Sequence, residues 1–224
     1  MSNTADLLRA IAALSWVVLA SVVVVALLKL LTGQKSALTK FGFGPSGVTI
    51  EFAEAKLSEA VSKSSQDARI VVGDAAKRSV IGRLQSHADL LRRARILWVD
   101  DHPENNTPIA DLLRQFGASV DTPRSNVEAL ALLSTSRYDV IISDVGRDDE
   151  GPSSDLKGVE LANSVYERSG QRVLFFTARF DPARLPGISD QERLQLVTEV
   201  QRSVFARTNR YDEALHYILD LLER

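Results

Sequence analysis

Apolar residues change their spacing from one part of this chain to the next, and each spacing predicts an element. Ile96–Val99 and Val140–Ile142 are short runs rich in β-branched residues and bounded by polar ones. Runs of that length and composition predict strands buried on both faces, as in a parallel sheet. Val173–Phe176 and Val204–Ala206 repeat the pattern, and Ala118–Asp121 predicts a further, edge strand. Between them the period becomes helical. Helices are expected at Ile109–Phe116 with Gly117 as C-cap, at Asn126–Ser134 with Val127, Leu130, Leu132 and Leu133 as apolar surface, and at Gly158–Arg168. Two more are expected at Asp190–Gln201, after a loop with Pro182, Pro186 and Gly187, and at Tyr211–Leu222, whose apolar face carries Ala214, Leu215, Ile218, Leu219 and Leu222. Strands alternating with helices through right-handed crossovers predict an α/β fold, a five-stranded parallel doubly wound sheet over residues 95–224.

Upstream the pattern differs. Ile11–Leu28 is an uninterrupted apolar run, with Ser15 and Ser21 its only hydroxyl residues, and it is long enough to span a bilayer. A cleaved signal peptide and a buried core helix are the rival readings. Both fit less well, because Asp6 stands near the start and no small-residue cleavage site follows Lys29. Residues 1–33 are therefore expected to form a transmembrane anchor with a single span. Lys29, Lys35 and Lys40 lie beyond it, so the positive-inside rule places the long C-terminal part on the cytoplasmic side of the inner (cytoplasmic) membrane.

Residues 34–94 read as a juxtamembrane and linker region of short α/β or helical elements. Gln34–Gly47 suits a linker, Val48–Phe52 a short strand, Glu54–Val61 a helix, Ser62–Asp67 a loop and Ile70–Val72 a brief apolar run. Ala75–Arg93 is helical, with Ile81, Leu84, Ala88 and Leu91 at alternating steps of three and four residues. That stripe predicts a signalling or dimerising helix, hence a homodimer through 75–93; packing on the chain's own α/β domain is the alternative. His87 on this helix reads as a solvated histidine.

Composition removes several classes of function. With 27 basic and 29 acidic residues and a net charge of −2, the chain has no electrostatic footprint for nucleic acid. The absence of cysteine excludes disulfides, thiolate metal sites and cysteine nucleophiles. An aromatic content of 6% does not supply a base-stacking platform.

The candidate chemistry is acidic. Asp100 and Asp101 follow the first predicted strand and Asp144 follows the third. Carboxyl ends of parallel strands face the crevice where ligands bind, so three carboxylates are expected to meet at one edge. Such groups repel unless a hard cation neutralises them, and magnesium, with its preference for oxygen ligands, is the natural candidate. A carboxylate is also a competent nucleophile toward phosphorus once that charge is offset, which makes Asp144 the candidate nucleophile. Taken singly, a strand-end aspartate is more often a helix cap or a turn residue; three at matching positions favour chemistry.

The strings ILWVDDHPEN, YDVIISDV and VLFFTA resemble the receiver domain of two-component response regulators, over about Arg95 to Arg224. The resemblance implies that Asp100 and Asp101 hold Mg2+ together with Asp144 and the backbone carbonyl of Gly146, and that Asp144 is the phosphorylated aspartate. It implies further that Thr177 is the hydroxyl following the fourth strand, and that a histidine kinase or phosphotransfer protein is the donor. Thr177 alone reads equally well as a helix cap.

The chain departs from the family pattern in several places. Arg207 and Thr208 stand where receivers have lysine and proline, and a planar guanidinium does not reproduce a compact ammonium. Val204 occupies the position of an aromatic switch residue, with Phe205 expected on the other side of the strand. The segment from Asp144 to Gly158 is long and acidic, with Asp148, Asp149, Glu150 and Asp155, and reads as a solvated loop. Arg179–Arg202 is longer than the family's fourth helix, which implies a different partner or readout. The expected function is a membrane-anchored receiver that accepts a phosphoryl group on Asp144 and signals through protein partners, without turnover of an outside substrate. The alternative is a pseudo-receiver, an unphosphorylated interaction module. A phosphohydrolase is disfavoured by Gly146, which stands where that chemistry needs a second aspartate.

Overall fold

The computed structural model describes residues 50–64, 72–146, 156–177, 180–184 and 187–224, all within one compact unit. The expected anchor at 1–33, the linker expected over Gln34–Gly47 and residues 147–155 of the acidic segment lie outside the described residues. Among the described residues no helix is long and apolar enough to cross a membrane.

Five parallel strands form one sheet: β1 (Arg95–Val99), β2 (Ser119–Asp121), β3 (Val140–Ser143), β4 (Val173–Phe176) and β5 (Val204–Thr208), in the order β2-β1-β3-β4-β5. Among the described residues the α-helices are α1 (Ile50–Ser64), α2 (Asp74–Ser86), α3 (Ala88–Leu91), α4 (Thr107–Gln115), α5 (Asn126–Thr135), α6 (Lys157–Ser169), α7 (Asp190–Ser203) and α8 (Tyr211–Leu222). Alternation along the strands divides the core in two. Ile96, Trp98, Val140, Ile142 and Leu174 point to one side of the sheet; Leu97, Val99, Ile141, Val173 and Phe175 point to the other. Side chains of α4 and α8 cover the first side, those of α6 the second. The chain reverses direction across the sheet between β1 and β3, which leaves a crevice at their carboxyl ends. Val99 pairs with Ser143, so the residues that follow both strands emerge side by side.

The structure revises the reading of residues 48–94. Phe52 is helical, because the strand expected over Val48–Phe52 is replaced by α1, which also runs past Val61 to Ser64 where a loop was expected. Five alternating residues do not separate the two periods, and the helical one prevails because Ala53, Leu57 and Ala60 all reach one buried face. The helix expected over 75–93 breaks at His87 into α2 and α3, where the Ser86 hydroxyl donates back to the Arg83 carbonyl at 2.9 Å.

The stripe offered for dimerisation is consumed inside the protein. Ile81, Leu84, Ala88 and Leu91 are buried in the same core as Trp98 and Leu215, so the helices pack on their own α/β domain. Packing thus runs continuously across residues 94–95, with α1 against α4 and α2 against α8. Arg83 of α2 pairs with Asp220 and Glu223 at 2.6 Å each, but partly exposed pairs contribute about 0–1 kcal/mol, whereas one buried leucine contributes about 1.5–3. The apolar face therefore holds the layer in place.

Smaller differences have local causes. Val127 is 79% exposed, and Ala129 is the buried residue of α5, because only one narrow stripe of that helix meets the sheet. Phe205 packs edge-on against Tyr217 while Val204 packs into the opposite core; a bulge where β5 pairs with Val173 and Leu174 separates them. Gly117 adopts φ +97, and a side chain there would press on Arg92, so the chain end of α4 requires glycine.

Candidate functional site

Asp100, Asp101 and Asp144 come together at the crevice, each offering an oxygen within 4.8 Å of the others. Asp100 and Asp101 are 7% and 3% exposed, and Asp144 is half-buried. At such separations an ionised pair repels by on the order of 3 kcal/mol at an effective dielectric of about 20. Burial, the largest influence, raises the pKa of Asp100 above its ordinary value; the His102 amide and the Asn106 side chain act against it, and the charge of Asp101 adds to it. The folded state thus holds this proton more tightly than the unfolded one. The residue's contribution to metal-free stability therefore falls as pH rises from the ordinary aspartate range through the raised value. Three convergent oxygen donors, two of them buried, fit a hard divalent cation such as Mg2+.

Each acid is held by its surroundings. Asp100 Oδ1 accepts from the His102 amide at 2.8 Å and Oδ2 from Asn106 Nδ2 at 2.6 Å. The backbone N–H of Asp100 donates to the Pro123 carbonyl at 3.1 Å, and Arg124 reaches the Asp101 carbonyl at 2.9 Å, tying the loop after β1 to the start of α5. Asp144 Oδ1 accepts from the Val145 amide at 2.6 Å. His102 is exposed beside Asp101; a hydrogen bond to Glu104, and then the charge of Asp101, raise its pKa.

Gly158 sets the position of Asp144. Its N–H donates to the Val145 carbonyl at 2.9 Å, and a Cβ there would collide with the Asp144 carbonyl oxygen and stand 2.7 Å from Val145 Cα. Both neighbours are backbone and cannot swing aside. Gly158→Ala is expected to destabilise the protein by about 1–3 kcal/mol, the usual range for overpacking, and to displace Asp144 from the cluster. Urea unfolding and Mg2+ titration check the two effects separately.

The remaining sequence-predicted residues lie on the same edge of the sheet. Thr177 follows β4, and its N–H donates to the Thr208 carbonyl at 2.9 Å. Gly146 is half-buried two residues beyond Asp144. Arg207, opposite Phe175 in the ladder, is exposed, and its Nη1 donates to the Phe180 carbonyl at 2.7 Å. Sequence reasoning does not single out Asn106, Tyr211 or Gly158 for the site. Only Gly158 leaves a trace, as a glycine at the start of a predicted helix, where a close approach of backbone is one of few reasons for it.

Fold and site together define a class: a doubly wound α/β domain with a cluster of three acids at its switch point. Residues 96–186 match the family profile described as response regulator receiver domain, and the chain carries a receiver domain of two-component signalling. A 50-residue stretch is 44% identical to the sensor histidine kinase RcsC of Escherichia coli strain K12 and equally to that of Salmonella typhimurium, covering 22% of this chain. The match spans only 5% of the length of those relatives. Similar solved structures include the response regulator TrrA of Thermotoga maritima in complex with Mg2+-BeF, which is 23% identical over 57% of this chain and 98% of that one, with a TM-score of 0.42. The chemotaxis response regulator CheY4 of Vibrio cholerae is 25% identical over 58% and 98%, with a TM-score of 0.42.

Proposed function

We propose that the chain is a membrane-anchored receiver that accepts a phosphoryl group on Asp144 from a histidine kinase or phosphotransfer protein and signals through protein partners, without turning over an outside substrate. The observation that carries this reading is the convergence of Asp100, Asp101 and Asp144 at the carboxyl edge of β1 and β3. Asp100, Asp101, Asp144 and the Gly146 carbonyl would hold Mg2+, which when bound supplies charge neutralisation for the acids and the incoming phosphoryl oxygens. A carboxylate oxygen of Asp144 attacks phosphorus, an O–P bond forms, and the P–N bond of the phosphohistidine breaks. The electron pair leaves with the imidazole nitrogen, which takes a proton from solvent. Thr177 and Arg207 stand on the same edge to donate to the transferred group. The similarity to part of a sensor histidine kinase supports a kinase of that class as the donor, and the Ile11–Leu28 run supports the anchor.

One observation favours a second reading. Arg207 already donates from Nη1 to the Phe180 carbonyl, a contact that competes with its turning toward a phosphoryl oxygen. A receiver fold in which it stays there would be a pseudo-receiver, an interaction module on the membrane. Acetyl phosphate, added with and without Mg2+ to membranes carrying the full chain, discriminates the two by intact mass of the extracted protein. One Mg2+-dependent phosphoryl adduct is expected. No adduct from acetyl phosphate or from a phosphorylated kinase would leave the pseudo-receiver standing, and recovery of the chain in the soluble fraction would remove the anchor.

A further inference from the structure

The three acids are only the visible part of the cation site. Behind Asp100 a line of buried polar groups runs to the first residue of α8. Asn106 is 2% exposed and Tyr211 is 2% exposed. Asn106 Nδ2 donates to Asp100 Oδ2 at 2.6 Å, and the Tyr211 hydroxyl donates to Asn106 Oδ1 at 2.9 Å, with the Asn105 carbonyl a second acceptor at 3.2 Å. The phenol ring is fixed in turn, stacked on Phe176 at 4.7 Å between centroids.

An ionised carboxylate only accepts hydrogen bonds, so the amide of Asn106 must present its nitrogen to Asp100. Its oxygen then faces the interior, where the Tyr211 hydroxyl satisfies it. Without that hydroxyl the oxygen is a buried acceptor with no donor. The amide must then rotate or shift to find one, and Asp100 loses the donor that fixes one of its oxygens. Asp100 accepts one hydrogen bond on each oxygen, which orients the carboxylate while leaving a lone pair on each for a cation. Groups that orient a metal ligand in this way typically change metal affinity by about 10–100-fold when removed.

We propose that Tyr211 and Asn106 are positioning residues that set the Mg2+ affinity of the acidic cluster by fixing the orientation of Asp100. The inference rests on the reading of that cluster as a magnesium site. It also gives α8 a stake in the site from a distance of more than a hundred residues in sequence, since the residue that opens the helix ends the polar line.

Isothermal titration of Mg2+ into the full chain, kept in a mild non-ionic detergent, tests this with Tyr211→Phe, Asn106→Ala and the double variant. Tyr211→Phe keeps the ring stacked on Phe176 and removes one oxygen. It is expected to weaken Mg2+ binding by about 10-fold. Asn106→Ala is expected to weaken it at least as much, and the double variant no more than Asn106→Ala alone, because the hydroxyl acts only through the amide. A purely structural role for Tyr211 predicts a lower urea midpoint with the Mg2+ dissociation constant unchanged within about twofold; that result, or independent additive losses, overturns the proposal. Should Tyr211→Phe fail to fold, Asn106→Ala reads the same link from its other end, and unchanged affinity there overturns it too. If the wild-type chain binds no Mg2+, the magnesium reading itself falls and this inference with it. Binding by the wild type with no effect of either variant removes the inference alone.

Discussion

Asp144→Asn is expected to gain no phosphoryl group from acetyl phosphate and Mg2+ under conditions in which the wild-type chain gains one, read by intact mass. The substitution is nearly isosteric. The amide oxygen can still accept from the Val145 N–H that now holds Asp144 Oδ1 at 2.6 Å, so the local backbone is kept. What disappears is the nucleophile, because a neutral amide lacks the charge that makes a carboxylate attack phosphorus. The variant also removes one of three mutually repelling charges, so its metal-free fold should be no less stable than the wild type's. An adduct that persists in Asp144→Asn and maps to Asp100 or Asp101 would reassign the acceptor. Adducts scattered over exposed carboxylates would argue that the cluster has no special reactivity.

The largest effect on stability is expected from Leu57→Ala, at about 2–5 kcal/mol in urea unfolding, the range for truncating a fully buried leucine. Leu57 is 0% exposed and belongs to the same core as Trp98, Ile109 and Leu215, although it lies well before the first strand. Val127→Ala is the matched control: at 79% exposure its loss should stay within about 0.5 kcal/mol. A Leu57→Ala change as small as the control's would show that α1 is a detachable appendage. With α1 also packed beside the short helical turn at Pro103–Asn105, which follows the acidic pair, the N-terminal layer supports the site as well as the core.

The strands, their order of appearance and the alternation of helices are legible in the sequence because they are local. A run such as Val140–Ser143 carries its own instruction to be buried on both faces, and a carboxylate that follows it inherits a place at the sheet's edge. Hence Asp100, Asp101 and Asp144 stand out from residue order alone, and their convergence requires only that the strands be parallel and β1 lie beside β3. The stripe on Ile81, Leu84, Ala88 and Leu91 is equally plain as an apolar face. Its partner is not, since such a stripe specifies that it must be covered and leaves the covering surface open.

By itself, then, the sequence determined the α/β class, the parallel strands and the acids at their ends, all properties of short stretches with a definite period or boundary. Only the tertiary structure decided that α1 and α2 close over α4 and α8, that Arg207 reaches the Phe180 carbonyl, and that Tyr211 holds Asn106 against Asp100. These are pairings between residues far apart along the chain. Hydrogen bonds and packing faces are satisfied by whatever the fold brings near, and a single sequence records the need without naming the neighbour.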